Sequence, residues 1–251
     1  MPSLLSRNEK LVLIPTYDEK DNVTPLCEQI LALKLDADIL FIDDNSPDGT
    51  GAVLDGLAAK YHNVKVIHRP GKMGVGGAHL DGIHYAYANG YTHVITMDCD
   101  FTYDPADIPN FLFYANSRLG YDVVVSTRHI FNSSLAGWGV WRKFVTHMGH
   151  FLTTLLLRMD YDATGAYREY WIKNIPEYLF DSVTHTDYSF FFESLAVLNL
   201  NRMRIYEVAI TNSQRSLGSS KLKPIDLVHS LLFMLQLSYK IHLKRDELVL
   251  R

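Results

Sequence analysis

Asp98 and Asp100 stand one residue apart in MDCD, where the apolar and β-branched run HVIT ends. Carboxylates at i and i+2 just past a strand can reach the same ion. Hard divalent cations such as Mg2+ take carboxylate oxygens and complete their shell with substrate phosphates. A D-x-D pair alone arises readily by chance. Two more acidic sets follow apolar runs in the same manner: Asp43 and Asp44 close DILFIDD, and Asp18 and Glu19 close LIPTYDE. One acid past a strand is commonly a helix cap. Three sets delivered by three strands to one sheet edge point instead to a cation site. No His or Cys cluster offers a better zinc site, since His147 and His150 read as surface or packed residues of an amphipathic helix.

Other chemistries fail on spacing. The segment RPGKMGVGGAHLDG has Gly74, Gly76 and Gly77, but the third glycine of a G-x-G-x-x-G fingerprint would fall at His79. No P-loop and no G-x-S-x-G elbow is present. What survives is a sheet edge with acids, a cation, basic residues downstream and no nucleophile.

The elements that position these residues alternate strand and helix. Strands are predicted over Lys10–Pro15, 38–44, 64–68, 93–98 and Asp122–Thr127. Helices are predicted over Asp21–Leu33, 75–88 and 105–118, and Thr50 is read as the N-cap of another. That alternation implies βαβ units and a mostly parallel sheet, whose ligands bind beyond the carboxyl ends of the strands. Further on, an amphipathic helix runs to Leu157, ATGAYREY is a loop entering a strand, YSFFFESLAVL is a helix and RMRIYEVAI a strand. The last element, Ile225–Leu243, is mostly apolar, with Asp226, His229, Ser230, Gln236 and Lys240 near one stripe. It is interrupted too often for a bilayer span of about 20 apolar residues. A membrane interface, the core or a partner would each suit it.

Composition bounds the rest. The chain has 251 residues, 47% hydrophobic and 21% charged, which suits a core-forming protein of one large or two small domains. A net charge of −4 argues against a general nucleic-acid binder. Residues 201–251 carry nine Lys+Arg and four Asp+Glu, a net of +5, against −9 for the remainder. This basic end is either a solvated surface or a face for anionic lipid or phosphate. Two cysteines, Cys27 and Cys99, build no disulfide framework, and MPSLLSRNEK has no secretory h-region, so a cytosolic protein is expected.

In this order the pieces resemble the family-2 glycosyltransferases of the GT-A fold, and within them the dolichol- or polyprenyl-phosphate mannose synthases. The matching stretches are LIPTYDEKDNV, FIDDNSPDGT, RPGKMGVGGAHLDGI, MDCDFTYDP, WRKFVTHMGHFLTTLLLR, YDATGAYREY and SLGSSKL, spread over about residues 10–225. The resemblance implies an α/β GT-A sheet, mostly parallel and flanked by helices. It implies a catalytic domain over 1–223 and a C-terminal amphipathic, membrane-associated helix over 224–251. Pro15, Tyr17, Glu19 and Asp44 would hold the nucleotide of a nucleotide-diphosphate sugar, with Lys72, Gly74, Asp98 and Lys221 also on the donor. Asp98 and Asp100 would bind Mg2+ or Mn2+. Arg128, Arg142 and Thr146 would meet the acceptor phosphate, and Asp100, Arg128 and Arg215 would be catalytic. Read without the resemblance, Arg142 is a solvated helix residue, and Arg215 and Lys221 belong to a charged loop.

The implied reaction is inverting transfer of a hexose, foremost mannose from GDP-mannose, to a polyprenyl phosphate. The implied setting is the cytosolic face of a membrane, reached directly or through a membrane-anchoring partner. A lipid phosphate is already anionic, so no general base is needed; the site must stabilise the departing diphosphate. This chain departs from the family at Cys99 (Ala is usual), Thr102 in FTYDP, Asp18 (Asn), His129 (Tyr) and His147 (Arg). Alternatives are a UDP-sugar donor, a saccharide hydroxyl acceptor with a base around Asp104, Asp107 or Asp187, or a non-catalytic GT-A-like subunit.

Overall fold

The computed structural model describes residues 9–115, 119–129, 139–210, 224–245 and 248–249, with the side chains at 141, 142 and 224 outside this set. In chain order the strands are β1 (Lys10–Thr16), β2 (Ala37–Asp43), β3 (Val64–His68), β4 (His93–Thr96), β5 (Val123–Thr127), β6 (Arg168–Tyr170) and β7 (Ile205–Ala209). The helices are α1 (Lys20–Ala32), α2 (Thr50–Lys60), α3 (Val75–Ala88), α4 (Ile108–Tyr114), α5 (Val140–Leu157), α6 (Tyr178–Asp181), α7 (Phe190–Leu200) and α8 (Pro224–Leu243). The described strands form one sheet in the order β3-β2-β1-β4-β6-β5-β7.

Pairing is parallel between β1, β2, β3 and β4, and between β5 and β7, whereas β6 runs antiparallel to both β4 and β5. The mostly parallel sheet expected from the alternation is therefore interrupted by one short reversed strand. Leu11 to Ile14 are fully buried and all of β2 is buried, the signature of parallel strands covered by helices on both faces. Register places the acids together. Thr16 of β1 lies opposite Asp43 of β2, and Leu13 of β1 lies opposite Thr96 of β4. Tyr17–Glu19, Asp43–Asp44 and Asp98–Asp100 thus emerge at one edge. The chain leaves β1 toward β2 and β3 on one side and returns to β4 on the other, so this edge is also the topological switch point, where ligands of open α/β sheets bind.

Several boundaries differ from the sequence expectation. The fourth strand stops at Thr96, although Met97 N–H still donates to Leu13 O (3.2 Å). The helix expected over 105–118 is a 3₁₀ turn over Pro105–Asp107 followed by α4, which ends at Tyr114. Thr50 is not the N-cap of α2. Gly49, at φ 91°, holds that place, and Thr50 is the first helical residue. Asp48 explains the shift, because its carboxylate accepts the Thr50 N–H (2.9 Å) and hydroxyl (2.6 Å). The Thr50 hydroxyl in turn accepts the Glu19 N–H (3.0 Å), which ties the loop after β1 to the loop after β2.

The C-terminal helix α8 packs inward through Phe233, Met234, Leu237 and Ile241. Ser238 donates to Leu156 O of α5 (2.8 Å), and the Ser189 and Ser230 hydroxyls are 3.2 Å apart. Its opposite side leaves Val228, Leu232, Leu235 and Tyr239 about half exposed, and α5 does the same with Phe144, Phe151 and Leu155. No helix among the described residues is long and apolar enough to cross a membrane.

Helix α3 lies tightly on β1. A Cβ placed on Gly82 would come within 2.2 Å of the Leu13 side chain. Gly82→Ala is therefore expected to overpack this seam and lower stability by about 1–3 kcal/mol, read as a lower denaturation midpoint with an unchanged m-value.

Candidate active site

A cleft of about 300 Å³ opens at the switch-point edge. Its walls include Pro15, Tyr17, Glu19, Asp44, Lys72, Gly74, Asp98 and Asp100. The donor-side residues singled out in the sequence thus meet in one place, apart from Lys221, which lies outside the described residues, as does Arg215.

Asp44 organises one wall. It is buried at the end of β2 and pairs with Arg69 Nη1 at 2.5 Å. Its Oδ2 accepts the Met73 N–H (3.2 Å) and the Gly74 N–H (3.1 Å). Arg69 also pairs with Asp81 (2.9 Å) and donates to Gly74 O (3.1 Å). The loop from Arg69 to Gly74 is closed on itself by these contacts, and it carries Lys72, whose ammonium sits 3.7 Å from the Tyr17 ring centroid. That cation–π contact holds a positive charge over the cleft.

The D-x-D pair forms the floor. Asp100 is buried and its Oδ1 accepts the Thr102 N–H (2.9 Å), closing a turn in which Phe101 takes φ 60°. The Thr102 hydroxyl is buried without a hydrogen-bond partner among the described residues. Two carboxylates in the lining, with an orphaned hydroxyl two residues along the chain from Asp100, offer hard-oxygen donors of the kind that suit Mg2+ or Mn2+. Among the described residues no three His, Cys, Asp or Glu side chains gather as a metal site of their own. A divalent ion here would thus depend on phosphate oxygens and water for the rest of its shell, the usual habit of Mg2+.

Another part of the lining was not assigned to the donor site in the sequence, where Asp187 stood only as a candidate base and Asp226 only as a polar residue of the last helix. Asp187, Tyr188 and Asp226 also line the cleft, from the loop before α7 and the first turn of α8. The glycine run brings this wall close. A Cβ on Gly74, which has φ 93°, would meet Thr186 O at 2.3 Å, and one on Gly76 would meet Asp187 O at 2.7 Å. The run that fails as a dinucleotide fingerprint therefore serves close backbone packing. Arg69 was missed as well; a lone base directly after the β3 pattern was the available signal.

Arg128 does not line the cleft. It lies just past β5 with its side chain 10% exposed, and its Nε and Nη2 grip both oxygens of Asp162 at 2.8 Å each. Nη2 also donates to the Thr164 hydroxyl (2.6 Å). Burial pushes the Asp162 carboxyl up, but the Arg128 charge outweighs it and holds the group well below the usual carboxylate range. Beside this pair His129 stacks on His150 at 4.1 Å, with His147 at 5.5 Å. Burial depresses the His129 imidazole to about 4, so it is neutral near pH 7. Thr146 sits half-buried on α5, and the Arg142 side chain lies outside the described residues.

The sequence profile of Glycosyl transferase family 2 matches residues 11–175. The chain belongs to this family. It is 30% identical over 213 residues to an undecaprenyl-phosphate mannosyltransferase of Micrococcus luteus, covering 84% of this chain and 86% of the relative. It is 31% identical over 215 residues to a polyprenol monophosphomannose synthase of Mycolicibacterium smegmatis, covering 84% and 80%. Residues 1–349 of S. aureus TarS, solved in complex with UDP-GlcNAc, superpose with a TM-score of 0.56 at 16% identity over 95% of this chain and 69% of that one. That likeness is one of fold, and the GT-A architecture expected from the sequence is the architecture observed.

The Arg128–Asp162 pair gives this family-2 glycosyltransferase a testable acid sensitivity. Asp162→Asn leaves a buried guanidinium unpaired and is expected to cost about 3–5 kcal/mol. Because the folded carboxyl titrates below its unfolded value of about 3.9, its contribution is complete above that pH and declines as pH falls below it. Urea melts of the wild type and variant should therefore differ by a constant amount from pH 7 to about pH 5 and converge in stronger acid.

Proposed function

We propose that this chain catalyses inverting transfer of mannose from GDP-mannose to a polyprenyl phosphate. The observation that carries the reading is the D-x-D pair on the floor of a switch-point cleft whose neighbouring wall holds Lys72 over Tyr17. The two mannosyltransferase relatives, matched over most of the chain, supply the choice of sugar and acceptor.

Asp98 and Asp100 would hold Mg2+ or Mn2+, with the Thr102 hydroxyl beside them. Bound there, the ion would supply charge neutralisation for the departing nucleoside diphosphate. Lys72 contributes a second positive charge to the same leaving group. Pro15, Tyr17 and Glu19 form the nucleotide end of the cleft. Asp44 and Gly74 act through the loop that carries Lys72. The acceptor phosphate arrives with its nucleophilic oxygen already deprotonated, so the anomeric carbon is attacked in one displacement with inversion and no side chain removes a proton. Asp104 and Asp107, two of the candidate bases for a hydroxyl acceptor, are not among the residues that line the cleft, and Asp104 is occupied by the Ala106 N–H (2.9 Å). Arg128, Arg142 and Thr146 are the proposed acceptor-phosphate set, and Arg215 and Lys221 complete the basic surround. The Asp162 grip orients Arg128 and, among the described residues, leaves Nη1 without a hydrogen-bond partner, as the edge proposed to meet a phosphate oxygen.

An isoprenoid acceptor lies in a bilayer, and the chain is proposed to work peripherally at the cytosolic membrane face, directly or through an anchoring partner. The half-exposed apolar residues of α5 and α8 support this, together with Lys240, Lys244 and Arg245 at the end of α8.

The reaction is tested by radiolabel transfer from GDP-mannose, and in parallel UDP-glucose, into a short polyprenyl phosphate with Mn2+ or Mg2+. Metal-dependent transfer from GDP-mannose is expected, with a loss of at least about 100-fold in Asp100→Ala. Transfer from UDP-glucose alone would overturn the sugar. The membrane reading is tested by vesicle co-sedimentation. Phe151→Glu combined with Leu232→Glu is expected to weaken binding by about 10-fold or more, since each site removes apolar surface worth about 1.5–3 kcal/mol when buried. Equal partition of the variant and wild type would exclude this face.

A further inference from the structure

We infer that Asp187 reads a hydroxyl of the transferred sugar and thereby sets donor specificity, an inference that rests on the sugar-transfer reading of the cleft. Three observations lead to it. Asp187 lines the cleft, in the same cavity as Asp98 and Asp100. One of its oxygens, Oδ1, accepts the Ser189 N–H at 2.7 Å, while Oδ2 has no hydrogen-bond or ionic partner among the described residues. The segment that carries it is fixed from three sides. Glu193 accepts the Thr184 N–H (3.1 Å), the Thr184 hydroxyl (2.8 Å) and the His185 N–H (2.9 Å). Thr186 O accepts the Gly77 N–H (3.0 Å), and Asp187 O accepts the Phe190 N–H (3.2 Å).

The chemistry of that oxygen selects its ligand. A carboxylate held against a cleft that receives an anionic diphosphate is unfavourable unless it meets donors. A neutral hexose presents a row of hydroxyl donors beside its diphosphate. A carboxylate accepts such a hydrogen bond strongly and repels a sugar that carries its own carboxylate. Asp98 and Asp100 are committed to the cation side, and Asp44 is neutralised by Arg69. Asp187 lines the same cleft with one oxygen anchored to the Ser189 N–H and with Oδ2 unpartnered among the described residues. The anchored oxygen fixes the direction of the carboxylate, which is what discrimination between epimers or deoxy sugars requires.

The test is a residue-by-hydroxyl cycle on the full chain. Transfer to a short polyprenyl phosphate is measured for GDP-mannose and its 2-, 3-, 4- and 6-deoxy analogues with the wild type, Asp187→Asn and Asp187→Ser. Both substitutions keep an acceptor for the Ser189 N–H, and GDP affinity in the presence of Mn2+ reports that the nucleotide site is intact. In the wild type one deoxy analogue is expected to lose about 10- to 100-fold in kcat/KM relative to GDP-mannose. Both variants should lose a similar factor with GDP-mannose, but little further with that same analogue, while GDP affinity stays unchanged. Additive losses for every analogue, or a parallel loss of GDP affinity, would overturn the inference and leave Asp187 a structural residue. A wild type that transfers mannose alongside unaffected variants removes the inference alone. A wild type inactive with every donor removes the sugar-transfer reading and the inference with it.

Discussion

The clamp that Asp44 places on the loop after β3 is the contact on which both walls of the cleft depend. A carboxylate buried at the end of a parallel strand is expensive to desolvate, and breaking such a pair by removing one partner typically costs about 3–5 kcal/mol. Here the charge is met by Arg69 on one oxygen and by two backbone N–H groups on the other. Those two N–H groups belong to Met73 and Gly74, so satisfying the carboxylate also fixes the path of the chain. Lys72 is carried into place over Tyr17 on one side of the loop. On the other side, Gly74 is pressed so close to Thr186 that no side chain fits between them. One buried charge thus sets the spacing between the nucleotide wall and the wall formed by the loop before α7.

Charge balance explains why such a cleft calls for cations. Among the described residues six acids line it, Glu19, Asp44, Asp98, Asp100, Asp187 and Asp226, with Lys72 the lysine or arginine in that lining. Arg69 neutralises Asp44 from behind, but the D-x-D floor remains strongly acidic. A nucleoside diphosphate entering alone would be repelled. Under the proposed function, a divalent ion entering with it would bring the charge that this lining lacks, and its phosphate oxygens would complete the ion's shell. On that reading the protein would supply only part of the ion's shell, which fits the lack of a three-residue metal cluster among the described residues.

The parts of this arrangement that were legible in the sequence are those encoded locally. Apolar runs ending in acids marked β1, β2 and β4, and the rule for open α/β sheets placed their termini together before any register was known. What escaped was non-local. Nothing in REY distinguishes a strand reversed between β4 and β5 from one parallel to them; only the pairing of Arg168 with Thr96 and Val125 does so. The Asp162 carboxylate that grips Arg128 went unforeseen because it lies 34 residues along the chain. The glycine run was tested for a nucleotide fingerprint and failed, although its true constraint is the carbonyl of Thr186, more than 100 residues away. Thr50 was misplaced by one residue because Asp48 competes for the same N–H.

Helix α8 joins two surfaces that the sequence treated separately. Its first turn brings Asp226 to the cleft wall, and its middle is buried through Phe233 and Met234. The His185 ring stacks on Phe233 two residues from Asp187, so the loop that closes the cleft and the helix that exposes apolar residues share one packing contact. This element of 20 residues spans about 30 Å, from the cleft wall to the half-exposed apolar residues of its outer side. The proposed transfer joins a water-soluble sugar nucleotide to a lipid phosphate, so it must hold two phases at one reacting carbon. A helix anchored in the core, acidic at its cleft end and apolar along its outer side, would answer that proposed demand with a single element.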